Sequence, residues 1–564
     1  MGKEKEIVKG ILLSYDEISS VREEDEKIFF SINNMEFLFV YTHIDNKTNR
    51  PMIMIRNEER YDYPHIMPFR FHPKNDGDYR VVCLYGNNEI INFMSSYEEK
   101  IIDILNRLIH LLSLSSKQIE EEFQKEFLYY WNDVAKNEDC VKIYLRSNKV
   151  YDELNVYVNK QGHCRVVQNG IKLNDVRTDD EDTKKWRHMP ELSAFYIPII
   201  NNREILPPTR DCMWEKKDIV NIIYGKNYNH ISEATYQKLK RKKTKQKTIV
   251  LIFGMTVNNN DIVFAAIVRF KNSGSDTLFN KLNDMVYSVE SIYSKRVDYY
   301  YLCEQIGNDT SILVKKVLLI GAGSMGSYVA KEIVKAGICN LAIFDSDTVE
   351  DENLLRHRIG GFWTGSSKVS SLKWELEHLH PEIHVNAVNK DIDEVLLKEE
   401  MKKYDLIIFT VGNSDVQLAA NYVLKQEKCS KDVLYVWLEA GGTYSHILYV
   451  DYSKRGCFEC LFTDEHGNVV NNKANVVTDE VIEKNTLRNG CGATRVKYGT
   501  TILLRTTSVL LNVIQKVFGK EMEENCLFDI TETTVNNRGN SFFEGKCNCC
   551  GNKRIETMYK NETS

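Results

Sequence analysis

Residues 315–337 read KKVLLIGAGSMGSYVAKEIVKAG. An apolar run leads into a Gly-x-Gly-x-x-Gly turn, and a helix-patterned stretch comes next and stops at Gly337. This order predicts strand, tight turn and helix, the opening of a parallel α/β sheet. Gly321, Gly323 and Gly326 form the turn; the first two let the backbone approach a phosphate, and the helix N-terminus offers N–H groups to an anion. The next strand, NLAIFD, ends at Asp345, placed to bond a ribose hydroxyl. These residues alone fit a dinucleotide domain as well as any other nucleotide site.

The residues after this strand are more selective. DSDTVEDENLLRHRIG sets Asp347, Asn353 and Arg356 just beyond Asp345, and Lys368 follows in GSSK. Two cations near a triphosphate stabilise charge that develops during attack at phosphorus. A further strand, YDLIIFTVGNSD, delivers Asp415 to the sheet edge, where a carboxylate can hold magnesium. Hydride transfer needs no such set. Over roughly residues 310 to 550 the chain resembles the ThiF and ubiquitin-activating adenylation family. The resemblance implies ATP as substrate, with Asp345 on the ribose, Asn353, Arg356 and Lys368 on the phosphates, and Asp415 on Mg²⁺. It also implies a homodimer formed through this domain. One departure stands out: YYYLCEQIG, just upstream, lacks the arginine that often precedes such domains and reaches an active site.

A chain of 564 residues is too long for one core and predicts several domains. Residues 1–135 pair short β-prone runs, KIFFSI and EFLFVY, with the helical patterns YEEKIIDILNRLIHLLSL and KQIEEEFQKEFLYYW, an α+β domain. Residues 136–305 read as a linker domain in which KTIVLIFGMTV and DIVFAAIVRF flank an Asn-rich turn as a hairpin. The basic run KLKRKKTKQK before it reads as a solvated loop, with a docking patch as the alternative. Residues 306–564 are the α/β domain. A net charge of −6 gives no reason to expect nucleic acid, and no run approaches the ~18 apolar residues of a membrane span. The first ten residues are charged rather than signal-like, and mostly scattered cysteines suit a reducing cytoplasm.

Two cysteine clusters are the exception. CFEC gives Cys457 and Cys460; CNCC gives Cys547, Cys549 and Cys550. Two Cys-x-x-Cys pairs, 457/460 and 547/550, supply four thiolates for a tetrahedral Zn²⁺, with a 547/549 choice left open. Between the clusters, LRNGCGATRVKYG flanks Cys491 with Gly490 and Gly492, and Arg495 and Lys497 follow. Nearby cations raise a thiolate fraction. In the family resembled, a crossover-loop cysteine takes the activated acyl group, which implies Cys491 as nucleophile.

Near the N-terminus, Tyr63-Pro64, Pro68, His72-Pro73 and Cys83-Leu84 follow in order. This succession resembles a ubiquitin-conjugating domain, with His72 in its His-Pro motif and Cys83 as its catalytic thiol. Lys74 stands where that family usually has an Asn that supports the oxyanion, and Asn75 is beside it. A buried core cysteine is the plain alternative. Together the parts resemble bacterial conjugating–activating fusion proteins beside CD-NTases in CBASS antiviral operons. The implied activity is a ligase-like relay: an acyl-donor protein, either a CD-NTase or a ubiquitin-like protein, is adenylated, carried on Cys491 and then Cys83, and joined to target lysines. Sulfur-carrier activation of the ThiF type, or a scaffold with an inactive conjugating domain, are the competing readings.

Overall fold

The computed structural model describes residues 2–41, 50–56, 63–66, 79–85, 96–137, 139–146, 149–174, 186–209, 212–225, 229–488 and 494–551. They fall into two compact units. One comprises Met1–Ile171 with Lys185–Val297, the other Lys172–Lys184 with Asp298–Ser564.

In the first unit, short alternating runs joined by tight turns give an antiparallel sheet in chain order: Ile18–Glu24, Lys27–Ile32, Met35–Val40, Met52–Arg56 and Tyr79–Val82. The first two turns place Asp25-Glu26 and Asn33-Asn34 at positive φ, between 48° and 64°. That geometry matches the right-handed twist of a two-residue hairpin. Alternation sorts the faces. Ile28, Phe30, Phe37, Phe39, Ile53 and Ile55 pack under the helices Gly2–Leu12 and Tyr97–Leu112. Phe29, Leu38, Met54 and Val81 form a smaller cluster of their own. Tyr97–Leu112 begins in a capping box between Ser96 and Glu99, so its first N–H groups are satisfied. The next helical pattern breaks at Glu126 into Ser116–Lys125 and Phe127–Asp133.

A nine-stranded mixed sheet forms the rest of this unit. One hairpin in it pairs Thr248–Val257 with Asn260–Phe270 through the Asn258-Asn259 turn, in the register Val257↔Asn260. The basic run differs from expectation. Residues 238–241 finish a helix, Glu233–Arg241, instead of a solvated loop. Leu239 is fully buried, and the Lys240 ammonium lies 4.5 Å from the Tyr236 ring centroid and 5.2 Å from that of Phe279. One buried leucine with lysine stems laid along aromatic rings is enough to order this turn.

The second unit is built on an eight-stranded sheet. Five parallel strands lie in the order His384–Val388, Asn340–Phe344, Lys316–Ile320, Leu406–Phe409 and Asp432–Leu438; Ser445–Val450, Cys526–Ile530 and Val535–Asn537 continue it antiparallel. Both faces are covered, which is why the strands read as continuous apolar runs. Val317 and Leu319 join the core under the helices Ser324–Ala336 and Gly499–Phe518, while Leu318 and Ile320 face the core that includes the helix Ser414–Gln426. Chain order reverses at Lys316–Ile320, which has the second strand on one side and the fourth on the other. A crevice at such a reversal is where sheets of this kind bind ligands.

Candidate functional site

The glycine loop leaves the first parallel strand at that reversal. Gly321 has φ +98°, and a Cβ there would sit 3.0 Å from the Thr410 and Val411 backbone of the neighbouring strand end. A Cβ at Gly326 would fall 2.0 Å from the Gly321 carbonyl oxygen, so the helix start can close on the loop only with glycine. Gly323, at the N-cap of Ser324–Ala336, would meet nothing within 4 Å, leaving space in front of the helix N-terminus.

Asp345, at the end of the second parallel strand, ties this loop to the next. Its Oδ2 accepts the Ala322 N–H at 2.6 Å and its Oδ1 accepts the Asp347 N–H at 2.9 Å. Each oxygen keeps a lone pair for a hydroxyl. Asp347 in turn holds Lys368, whose Nζ lies 2.7 Å from Asp347 Oδ2 and whose N–H donates to the Asp347 carbonyl. Lys368 is 8% exposed, at the start of the helix Lys368–Glu377. Asn353 is buried, and Arg356 Nε is buried with no hydrogen-bond partner among the described residues. A buried, unanswered guanidinium N–H fits an anion.

His357 belongs to no sequence motif. It is buried, its Nε2–H donates to the Ala322 carbonyl at 2.7 Å, and its Nδ1 accepts the Ile359 N–H at 3.3 Å. Burial, aided by Lys368 and Arg356, pushes its pKa down to about 4 despite the Ala322 bond. The ring is neutral and props the glycine loop from beneath. Asp415 is exposed in the first turn of Ser414–Gln426, where Asn413 Oδ1 accepts the Asp415 and Val416 N–H groups. It therefore stands beyond the end of the strand that flanks the glycine-loop strand.

The cysteines of the two C-terminal motifs meet. The sulfurs of Cys457, Cys460, Cys547 and Cys550 all lie within 4.8 Å of one another, with separations of 4.0 Å for 457–460, 3.8 Å for 457–547 and 3.4 Å for 460–550. Zinc–sulfur bonds of about 2.3 Å place tetrahedral thiolates about 3.8 Å apart, so this set fits the ion. Cys549 accepts instead from Asn421 Nδ2 at 3.2 Å.

Nearby, a buried row of charges fixes the segment after the first cysteine pair. His446, fully buried, lies 2.6 Å from Glu439 Oε1 and 2.9 Å from Asp529 Oδ1, and Arg538 reaches Asp529 at 3.5 Å. The two carboxylates hold the imidazole above its ordinary pKa against the opposing effect of burial. Glu439 also accepts the N–H groups of Val476 and Val477 at 3.0 Å. Downstream, Thr486–Arg488 pairs with Thr494–Val496. Cys491 lies between them, outside the described residues.

In the first unit, Cys83 follows the strand Tyr79–Val82 and is half-buried. It lines an open cleft of about 620 Å³ together with His65, Tyr85, Arg107, Glu122 and Glu126. Its N–H donates to the His65 carbonyl at 2.7 Å. His72 and Lys74 lie outside the described residues; His65, which no sequence motif marks, lines this cleft with Cys83, as does His110.

Residues 304–549 match the ThiF family. Curated relatives include a ubiquitin-like modifier-activating enzyme 5 of Caenorhabditis briggsae, 28% identical over 162 residues, covering 26% of this chain and 36% of the relative. An ATP-dependent ubiquitin transferase-like protein Cap2 of Pseudomonas aeruginosa is 27% identical over 172 residues, 30% of each chain. The chain thus spans about a third of the length of these relatives. Among solved structures, Escherichia coli MccB with ATP is 19% identical with a TM-score of 0.31, covering 40% of this chain and 64% of that one. The C-terminal region of this chain is a ThiF domain, homologous to Cap2 ubiquitin-transferase-like proteins and to E1-like adenylating enzymes.

Proposed function

We propose that the chain runs an ATP-driven acyl relay from a protein C-terminus to an amine. The observation that carries this reading is the pairing, in one chain, of a ThiF domain related to Cap2 with a second unit that presents Cys83 in an open cleft. On this reading residues 1–135 are the conjugating domain, 136–305 the linker domain and 306–564 the adenylation domain. The donor's terminal carboxylate oxygen attacks the α-phosphorus of ATP, and the bond to pyrophosphate breaks. The Cys491 thiolate then attacks the acyl carbonyl and AMP leaves. Cys83 takes the acyl group from Cys491, which leaves as thiolate. A target lysine amine attacks last; the Cys83–acyl bond breaks and the amine's proton passes to solvent. Each covalent stage splits one difficult acyl transfer into easier ones.

Residues have distinct tasks in the first step. Asp345 would hold the ribose, and Asn353, Arg356 and Lys368 the phosphates. Mg²⁺ on Asp415 would neutralise phosphate charge. The free space before Gly323 and the unanswered Arg356 N–H suit this occupant. On this reading the donor is a CD-NTase in CBASS-type antiviral defence, with a ubiquitin-like protein as the alternative donor. Mixing the chain with ATP and a CD-NTase should release AMP and give a protein adduct that excess thiol cleaves. A ubiquitin-like protein in its place tests the alternative donor. AMP release with neither would overturn the relay.

The four-cysteine set would hold a structural Zn²⁺, whose binding free energy is also folding free energy. About one zinc per chain is expected by metal analysis. Cys457→Ser should lose the metal and lower the melting temperature sharply. A metal-free Cys457→Ser chain that melts like the parent would show that the cluster is not a structural site.

A further inference from the structure

Three observations converge on His65. The antiparallel bridge that pairs Ile66 with Val82 sets His65 opposite Cys83, and the Cys83 N–H bond to the His65 carbonyl closes that register. The His65 backbone is left-handed, φ +65°, which is uncommon for a residue with a side chain. It is locked there by Tyr130, whose hydroxyl accepts the His65 N–H at 2.7 Å and donates to Glu126 at 3.0 Å. Both ring nitrogens face carboxylates: Nδ1 lies 3.2 Å from Glu126 Oε1, and Nε2 3.4 Å from Glu122 Oε2.

We propose that His65 is the second group of the Cys83 site: as a cation fixed between Glu122 and Glu126, it stabilises the thiolate form of Cys83. The inference rests on the relay reading, in which the Cys83 sulfur is an anion both before it takes the acyl group and after it gives it up. No redox change is involved; only the position of negative charge moves, between Cys491 sulfur, the acyl oxygen and Cys83 sulfur. Glu122 pairs with Lys125, and across the cleft Arg107 pairs with Asp103 at 3.1 Å. His110 also lines the cleft. Glu126 lines the same cleft, and without the imidazolium its charge would oppose ionisation of the sulfur. The Glu126 bond, against the cost of burial, holds the imidazole above its ordinary pKa, the direction that favours the cation. A neighbouring opposite charge at a partly exposed site changes an ionisation equilibrium by about tenfold.

The test is the pH dependence of iodoacetamide alkylation in the full-length chain, read at Cys83 by peptide mass spectrometry, with exposed Cys212 as internal reference. In the unaltered chain the Cys83 midpoint should lie below that of Cys212. His65→Gln should raise the Cys83 midpoint by about one pH unit and slow alkylation at pH 7 about tenfold, with Cys212 unmoved. His65→Lys should restore most of the rate, because it returns a charge without the ring. An unmoved midpoint in His65→Gln, or an unaltered-chain midpoint at or above that of Cys212, would overturn the proposal; the second measurement stands even if the variants do not fold. The assay needs neither ATP nor donor. Failure of the relay would show instead as wild-type conjugation by Cys83→Ala, which leaves the alkylation result untouched.

Discussion

Asp415→Ala is expected to lower donor-dependent exchange of pyrophosphate into ATP by about a hundredfold to a thousandfold, the usual loss when a fixed group opposite developing charge is removed. The expectation follows from position. Asp415 is exposed in a helix first turn, held by the Asn413 cap, and contributes nothing to the core. Its loss should leave the melting temperature unchanged while removing the metal's carboxylate. Arg356→Ala should cost nearly as much activity for a different reason, since its buried Nε finds no partner among the described residues to keep it in place for structure alone. Isotope exchange with labelled pyrophosphate, alongside thermal melts with ATP and with NAD, gives the readout. Protection by NAD alone, or normal exchange by Asp415→Ala, would refute the adenylation site.

The relay makes an asymmetric prediction. With ATP and donor, Cys491→Ala should still form the adenylate yet carry no thioester, because in the proposed relay Cys83 is loaded only through Cys491. Cys83→Ala should accumulate the Cys491 thioester and pass it to no amine. A block downstream strands an intermediate, whereas a block upstream prevents it. Reductant-stable conjugates should therefore fall to background in both variants, while the reductant-sensitive adduct survives only in Cys83→Ala. Non-reducing gels of the two variants decide the matter. Conjugates from Cys83→Ala at the parental rate would reduce the first unit to a scaffold.

Local features are the ones legible in this sequence. The glycine loop, Asp345 and Asp415 fall where a period of strand, turn and helix puts them, and the Asn258-Asn259 hairpin follows from one dipeptide between two apolar runs. Two Cys-x-x-Cys pairs announce a cluster at any distance, since four thiols at that spacing have few other partners. Groups joined by folding alone stay hidden. The row from Glu439 through His446 and Asp529 spans ninety positions and carries no motif. His357 reads as an ordinary polar residue until its ring is found under the Ala322 carbonyl. His65 sits in the very stretch that draws attention to His72, but its two carboxylates come from the helix Ser116–Lys125 and the break at Glu126 that ends it, more than fifty residues on. In the basic run, charge masked period: a single buried Leu239 orders a turn that composition assigns to solvent.

The ThiF-bearing unit is not one uninterrupted piece of chain. It includes Lys172–Lys184, more than a hundred residues upstream of Asp298. Asn174 is a stitch in it: its N–H donates to the Pro381 carbonyl at 2.7 Å, and its side-chain amide to the carbonyls of Glu377 and Ile383 at 3.2 and 2.9 Å. Those acceptors close the turn between the helix Lys368–Glu377, which begins at the lysine assigned to phosphate, and the edge strand His384–Val388. Modularity in this protein is therefore a matter of space rather than of sequence. A recombination event that moved residues 306–564 alone between related chains would leave this stitch behind, so inheritance of the unit requires the upstream segment to travel with it.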